Sequence, residues 1–398
     1  MKVVVVGSGG REHALQSVLS RTAEVTVTPG RPGIPGSVKT DPEDLDADLF
    51  VIGPEIPLVD GVADRLRAQG KLVLGPGADG AQLEGSKIWM KELLVSAGVP
   101  TAEFKSFLPG MELEATRYLT GYLPPPWAIK TDYLAAGKGS FVTDNLEQAV
   151  ADARTKLQKG GIVIEQGLMG PEVSFFALCS GTDWSLLPAA RDYKRLLEGD
   201  KGPNTGGMGA FSPVPDRPSV GVLAPILDAT LAELVRRQID YRGVLYGGLI
   251  LTAEGPMMLE YNIRLGDPET QVILPRLQGD VAEILALTAA GETLSSGTLA
   301  TDACVTVVLA SEGYPDSPKT GDAITGIDEA NALDGVMVFH AGTTTNDDGD
   351  FVTAGGRVLN VTARGRTVEL ARELAYQAVN LINFRGMQYR SDIASINA

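Results

Sequence analysis

Short β-branched runs alternate with helically spaced segments along the first hundred residues. Val3–Val6 runs into glycines at Gly7, Gly9 and Gly10, and apolar positions then recur at helical spacing over Glu12–Leu19. Val25–Val27 and Leu49–Ile52 read as further strands, the latter stopped by Gly53-Pro54. Gly61–Ala68 reads as a helix, and Leu72–Leu74 as a strand closed by Gly75-Pro76-Gly77. Uniformly apolar strands joined by helices predict an open parallel sheet.

From Ser86 the rhythm changes. Lys87–Ala97 is helically spaced and stops at Gly98-Val99-Pro100. Leu123-Pro124-Pro125-Pro126 is a stiff linker into the strand Trp127–Lys130. A small segment of strands and one helix follows, carrying Ala135-Ala136-Gly137-Lys138-Gly139. Ile162–Glu165 and Glu172–Cys179 read as strands, Gly199–Gly209 as a long glycine-rich loop and Val222–Arg237 as a helix. Gly248–Leu251 and Met257–Tyr261 read as a hairpin. A third block opens near Ala300, with strands Ala303–Leu309, Val336–His340 and Arg357–Val361 and a terminal helix over Arg366–Ile382. The expected domains are residues 1–98, 99–297 (with a lid at about 120–185) and 298–398. No internal repeat is visible.

Composition narrows the functional classes. The 34 basic and 50 acidic residues leave a formal charge of −16, which disfavours nucleic acid and anionic membranes as partners. Hydrophobic content of 44% supports a real core. No apolar stretch approaches the ~18 residues of a membrane span, and the N-terminus reads as a strand rather than a signal peptide. Two cysteines, Cys179 and Cys304, suit a reducing cytoplasm. Two histidines, His13 and His340, leave no clustered-histidine metal site.

Four segments carry candidate chemistry. Gly7-Ser8-Gly9-Gly10-Arg11-Glu12-His13 joins a strand to a helix through glycines, which is either a phosphate cradle or a tight turn without a ligand. It is not a dinucleotide fingerprint: the third glycine would fall at Glu12, and no acid ends the second strand. Lys130 ends a strand, and Gly137-Lys138-Gly139 could close over a polyphosphate, although alone it also reads as an exposed hairpin tip. In Glu260-Tyr261-Asn262-Ile263-Arg264 alternation puts positions 260, 262 and 264 on one strand face at steps of ~6.5 Å. A carboxylate, an amide oxygen and a guanidinium there make a site for a hard cation and phosphate, selecting Mg²⁺ or Mn²⁺ over Zn²⁺. Gly266-Asp267-Pro268-Glu269-Thr270 adds two acids. Finally, Gly202-Pro203-Asn204-Thr205-Gly206-Gly207-Met208-Gly209 has four glycines in eight residues. A loop so costly to order suits substrate binding, and Asp192-Tyr193-Lys194-Arg195 precedes it.

Together these strings resemble the glycinamide ribonucleotide synthetase (phosphoribosylamine–glycine ligase) family of the ATP-grasp superfamily. The resemblance runs in order from residue 1 to about 390 and includes Gly53-Pro54-Glu55, Leu83-Glu84-Gly85-Ser86-Lys87, Leu134–Gly139 and His340-Ala341-Gly342-Thr343. It implies an α/β protein of ATP-grasp architecture. That comprises an N-terminal open parallel α/β domain, a central two-part nucleotide-binding domain with a mobile lid, and a C-terminal α+β domain. Residue by residue, it implies ATP phosphates at Lys87, Lys130 and Lys138, adenine at the hinge backbone of Glu165, Gln166 and Leu168, and ribose at Glu172. It implies metal at Glu260 and Asn262, and the transferring phosphoryl group or carboxylate substrate at Arg264. Glu55 and Asp267 are implied near the amine, with Asp267 as its proton acceptor. The 5′-phosphate is implied at Arg357 and the backbone of Gly9 and Gly10. Asp192, Lys194, Asn204 and Thr205 are expected to complete the substrate site. The chain departs from the family pattern at Ser8, Tyr133, Gln166 and Gly167. The implied activity is an ADP-forming carbon–nitrogen ligase of purine biosynthesis. It would join glycine to 5-phosphoribosylamine through glycyl phosphate, with ATP and Mg²⁺ or Mn²⁺, as a cytoplasmic monomer acting only on small molecules. An ATP-grasp amide ligase for another amine or amino acid, and an inactive ATP-binding regulator, are the alternatives.

Overall fold

A computed structural model describes residues 1–135, 139–215, 218–292 and 297–395. The N-terminal unit comprises β1 (Lys2–Gly7), α1 (Gly10–Leu19), β2 (Glu24–Pro29), β3 (Leu49–Ile52), α2 (Glu55–Val59), α3 (Val62–Ala68), β4 (Val73–Leu74), α4 (Gln82–Gly85) and α5 (Lys87–Ala97). Its strands are parallel in the order β2-β1-β3-β4. Alternation along β1 explains its unbroken valines: Val3 and Val5 pack with Leu15 and Val18 of α1, and Val4 and Val6 with Leu58 and Leu66 on the opposite face. Ser86 caps α5, its Oγ accepting the Trp89 N–H at 3.1 Å, and Gly98 ends the helix at φ 69°.

An outer unit follows, with β5 (Phe104–Phe107), α6 (Glu112–Gly121), β6 (Trp127–Thr131), β7 (Ser140–Thr143), α7 (Leu146–Leu157) and β8 (Ile162–Gln166). The sheet is antiparallel in the order β5-β8-β6-β7. Leu119, Ala149, Ala153 and Leu157 of the two helices cover Ile129, Ile162 and Ile164. Asp132, just past β6, clips this sheet to α5: one carboxylate oxygen accepts both the Ser86 hydroxyl at 2.8 Å and the Ile88 N–H at 2.9 Å.

The central body holds β9 (Glu172–Ser180), β10 (Asp183–Leu186), β11 (Arg191–Asp192), β12 (Arg195–Leu197), β13 (Lys201–Asn204), β14 (Gly209–Ser212), α8 (Val220–Arg236), β15 (Arg242–Thr252), β16 (Gly255–Asn262), α9 (Thr270–Ile273), β17 (Leu277–Gln278), α10 (Val281–Ala290) and β18 (Thr298–Leu299). Its main sheet has the order β10-β9-β15-β16. The segment 120–185 expected as a lid therefore straddles two sheets, because β9 pairs with β15 rather than β8. The stretch Gly199–Gly209, expected to be a loop, is partly a hairpin. Arg195 pairs with Asn204 and Leu197 with Lys201; Gly199 serves the turn at φ 63°, and Gly202, at φ 79°, lies in β13 where the register shifts.

The last elements are β19 (Ala303–Ala310), α11 (Ile327–Asn331), β20 (Val336–His340), β21 (Thr343–Thr345), β22 (Phe351–Thr353), β23 (Arg357–Gly365) and α12 (Val368–Val379). Their sheet has the order β11-β14-β19-β23-β20, so its first two strands come from before residue 213. A cut at 297/298 would sever them from their partners. Ala371, Ala375 and Ala378 of α12 pack against this sheet. Among the described residues, no helix is long and apolar enough to cross a membrane.

Candidate active site

The end of β16 is the meeting point. Lys87, the first residue of α5, places Nζ 2.9 Å from Glu260 Oε2. That lysine holds the Glu260 carboxyl well below the usual carboxylate range, against the opposing effect of burial. Burial would lower Lys87, but Glu260 more than offsets it and raises it. Asn262 lies two residues on, and its Oδ1 accepts from Arg264 Nη2 at 3.2 Å. Among the described residues, no three His, Cys, Asp or Glu side chains gather as a metal cage. An ionised carboxylate and an amide oxygen are hard donors too few to fill a coordination shell. That suits Mg²⁺ or Mn²⁺, which take remaining ligands from phosphates and water.

Arg264 lies between two acids, with Nε 3.2 Å from Glu55 Oε2 and Nη2 2.7 Å from Glu84 Oε1. Glu84 also accepts the Ile263 N–H at 2.9 Å. Burial pushes the Glu84 carboxyl up, with Arg264 opposing; at Glu55, Arg264 and Arg11 overcome burial and pull it down. Glu84 was not among the expected site residues, although it lies inside the Leu-Glu-Gly-Ser-Lys string.

Arg357 reaches over from β23. Its Nη2 is 3.1 Å from Asp267 Oδ2, and its Nη1 donates to the carbonyls of Asp267 (2.7 Å) and Gly206. Gln271 Nε2 donates to Asp267 Oδ1 at 2.8 Å, so both carboxylate oxygens are engaged. Burial would raise Asp267, but Arg357 and Arg11 hold it below its ordinary value. Thr205 spends its hydroxyl inside the loop, donating to the Lys194 carbonyl at 2.9 Å and accepting the Gly207 N–H at 3.0 Å. Its expected substrate contact is therefore replaced by a structural one. Asn204 sits in β13 and Asp192 in β11. Lys194 is half-exposed, 3.9 Å from the exposed Glu172 carboxylate, and Asp192 raises it.

The glycine turn differs from expectation at one atom. The Gly9 N–H donates to Glu12 Oε2 at 2.6 Å, so it is not a free donor for phosphate. Glu12 lies one turn along α1 and folds back: a Cβ on Gly7 would come 2.5 Å from its side chain, and one on Gly53 2.1 Å. That carboxylate fills the space beside the glycines of the turn. Gly10 begins α1, and its missing Cβ makes room for Asn360, whose Nδ2 would be 2.2 Å from it.

Lys130 lies 3.0 Å from Glu165 Oε1, and Lys91 lies 2.9 Å from Oε2. Glu165 is paired on both sides, with Phe104 of β5 and Ala128 of β6. Its backbone is therefore inside the sheet, and β8 ends one residue on, at Gln166. The Gln166 N–H is bonded to the Glu103 carbonyl at 2.9 Å. Gly167 has a local reason: its N–H donates to the Pro126 carbonyl at 2.7 Å, and a Cβ would lie 2.9 Å from that oxygen. Lys138 lies outside the described residues. Lys91 went unread, although it follows Lys87 by one helical turn.

Glu269 is buried below this cluster and accepts from the Tyr246 hydroxyl at 2.7 Å. Burial and nearby Asp192 push its carboxyl up to about 7. In the unfolded chain it ionises near ~4.3. Native stability is thus highest below that value and falls as pH rises towards 7. Glu269→Gln keeps the acceptor for Tyr246 without the charge. Its melting temperature relative to wild type should be higher at pH 8 than at pH 4, and a difference independent of pH would refute the shift.

Residues 1–84, 85–270 and 304–396 match, in turn, the N domain, the ATP-grasp (A) domain and the C domain of phosphoribosylglycinamide synthetase. The chain is 44% identical to the phosphoribosylamine–glycine ligase of Streptomyces coelicolor over 99% of both proteins. The crystal structure of the Thermotoga maritima phosphoribosylamine–glycine ligase superposes with a TM-score of 0.87 at 34% identity, covering 99% of this chain and 100% of that one. The biotin carboxylase domain of Hydrogenobacter thermophilus 2-oxoglutarate carboxylase shares the fold, with a TM-score of 0.72 at 16% identity over 98% of this chain and 91% of that one. Three consecutive domain matches, full-length identity and a common fold place the chain in the phosphoribosylglycinamide synthetase family.

Proposed function

We propose that this chain is an ATP-dependent phosphoribosylamine–glycine ligase, converting ATP, glycine and 5-phosphoribosylamine to ADP, phosphate and glycinamide ribonucleotide. The observation that carries the assignment to this cleft is the position of Arg264. It joins a phosphate side (Lys87, Lys130, Glu260 and Asn262) to an amine side (Glu55, Asp267 and Arg357). Mg²⁺ or Mn²⁺ held by Glu260 and Asn262 would offset the charge of the ATP phosphates. Lys87 and Lys130 bind those phosphates, Gln166 and Leu168 meet adenine, and Glu172 meets ribose. The outer unit, with Lys138, closes over the nucleotide.

Glycine places its carboxylate against Arg264, whose guanidinium is held by Glu55 and Glu84. That carboxylate is anionic at neutral pH and attacks the γ-phosphorus without a base, ADP leaving. The product, glycyl phosphate, has a leaving group the free acid lacks. The amine of phosphoribosylamine then attacks the acyl carbon, the C–O bond to phosphorus breaks, and the departing phosphate carries off the proton the amine loses. Asp267 is held ionised by Arg357 and Gln271, so it suits orienting the amine through a hydrogen bond better than taking up its proton. A 5′-phosphate at Arg357 shares the guanidinium with that carboxylate, with Gly10, Asp192, Lys194 and Asn204 around the substrate. The same reading makes the enzyme a cytoplasmic monomer acting on small molecules; both cysteines are free and buried, as a reducing compartment allows.

ADP release should require glycine and phosphoribosylamine together. Glycine labelled with ¹⁸O in its carboxylate should pass one labelled oxygen to inorganic phosphate. Label confined to the amide product and unreacted glycine excludes the acyl phosphate, and release with some other amine alone excludes the substrate assignment.

A further inference from the structure

Helix α5 carries two lysines one turn apart, and the reaction as derived uses only Lys87. Lys91 has a completely buried side chain, 0% exposed. Its Nζ is 2.9 Å from Glu165 Oε2 and 2.6 Å from Thr101 Oγ1, and it sits 5.7 Å over the Phe104 ring. Thr101 passes its own proton to the Met258 carbonyl at 2.7 Å, which fixes the direction of that bond. Glu165, 1% exposed, also faces Lys130, whose Nζ is 3.0 Å from Oε1 and donates a hydrogen bond at 3.1 Å to Oε2, the oxygen that Lys91 approaches. Two buried ammonium groups thus share one buried carboxylate, and the cluster is left one positive charge in excess. The neighbouring Lys87–Glu260 pair is balanced one to one.

An unbalanced buried charge is costly, and an apolar residue at position 91 would leave a balanced Glu165–Lys130 pair. Stability alone therefore gives no reason for a lysine there. The excess charge has a use if an anion arrives. We propose that Lys91 is a positioning residue for ATP: by competing with Lys130 for Glu165 Oε2 it stops that carboxylate from fully neutralising Lys130, whose charge is left for the nucleotide phosphates. The inference rests on the reading of Lys130 as a phosphate ligand.

Protonation adds a testable sign. Burial first, then Lys130 and Lys87, push Lys91 down to about 8, with Glu165 opposing. The charged groups facing it are Lys87 on its own helix, Lys130 from β6 and Glu165 from β8; Thr101 and Phe104 carry no charge. Deprotonating Lys91 hands Glu165 wholly to Lys130, so nucleotide affinity falls as pH rises through this range.

The test is calorimetric binding of a non-hydrolysable ATP analogue with Mg²⁺ to the full chain. Lys91→Met should weaken binding about tenfold at pH 7, with KM for glycine and for phosphoribosylamine within twofold of wild type. Wild-type affinity should drop between pH 7 and pH 9. Lys91→Arg, whose guanidinium does not titrate there, should bind like wild type at pH 7 and lose that drop. Affinity within twofold of wild type in Lys91→Met, or a pH dependence that persists in Lys91→Arg, overturns the proposal. Should Lys91→Met fail to fold, the wild-type and Lys91→Arg titrations decide alone. Lys130→Ala separates the two levels. Unchanged affinity there removes the reading of Lys130 and the inference with it, whereas weakened affinity beside an indifferent position 91 removes only the role of Lys91.

Discussion

Glu260→Gln should lower turnover by at least ~10²-fold while leaving the chain folded. The substitution keeps shape and hydrogen-bonding capacity and removes one charge. That charge is the ionised member of the Lys87 pair at 2.9 Å and one of two oxygen donors at the end of β16. Its loss weakens metal loading and leaves the half-buried Lys87 without its counterion, so the lysine is drawn towards the ATP phosphates in the ground state as well as during transfer. Binding the ground state as tightly as the transition state does nothing for turnover. The measurement is ADP release at limiting Mg²⁺, and release close to wild type would remove Glu260 from the metal site.

Arg264→Leu should be the more damaging change, costing ~10³-fold or more in kcat/KM and a substantial part of the stability. Glu55 and Glu84 would be left as neighbouring half-buried carboxylates without the guanidinium that both contact. Two such acids cannot both stay ionised, so one takes up a proton and the melting temperature of the variant should fall as pH rises from 5 to 8. Arg264→Lys distinguishes packing from chemistry. It restores a charge but not the fork that reaches Glu55, Glu84 and Asn262 together. Stability should recover in part and turnover should not. Wild-type KM for glycine together with wild-type kcat in Arg264→Lys would exclude Arg264 as the carboxylate holder.

What could be read from the chain follows from what is local. The strands of the parallel sheet announce themselves because both faces are buried, which forces unbroken apolar runs such as Val3–Val6 and Leu49–Ile52. Helix α5 was legible to the residue, since Ser86 and Gly98 are cap residues. The β12–β13 hairpin was not, because glycine and proline suppress the strand signal and only pairing reveals it. Nor could the chain show that β11 and β14 belong to the C-terminal sheet, a matter of partners almost a hundred residues away. The alternation argument set Asn262 beside Arg264, which do share a hydrogen bond, although β16 ends at Asn262 and Arg264 lies past it. It could not name the counterions, because Lys87 is 173 positions from Glu260 and Glu84 is 180 from Arg264. Glu12 was legible as a missing glycine but not as the group that occupies the vacated space.

The Asp132 clip bears on how this enzyme could be rebuilt from parts. Because one carboxylate oxygen ties the end of β6 to the start of α5, a chimera that took the whole outer sheet from a relative would import half of a junction. The incoming strand would have to supply its own acid at that spot or leave the Ile88 amide unsatisfied. Grafts joined beyond Asp132 and before Ile162 avoid the problem, since they exchange β7 and α7 while keeping the fastening native. Tolerance to recombination should therefore change abruptly across Asp132, even though nothing in the surrounding sequence marks a boundary.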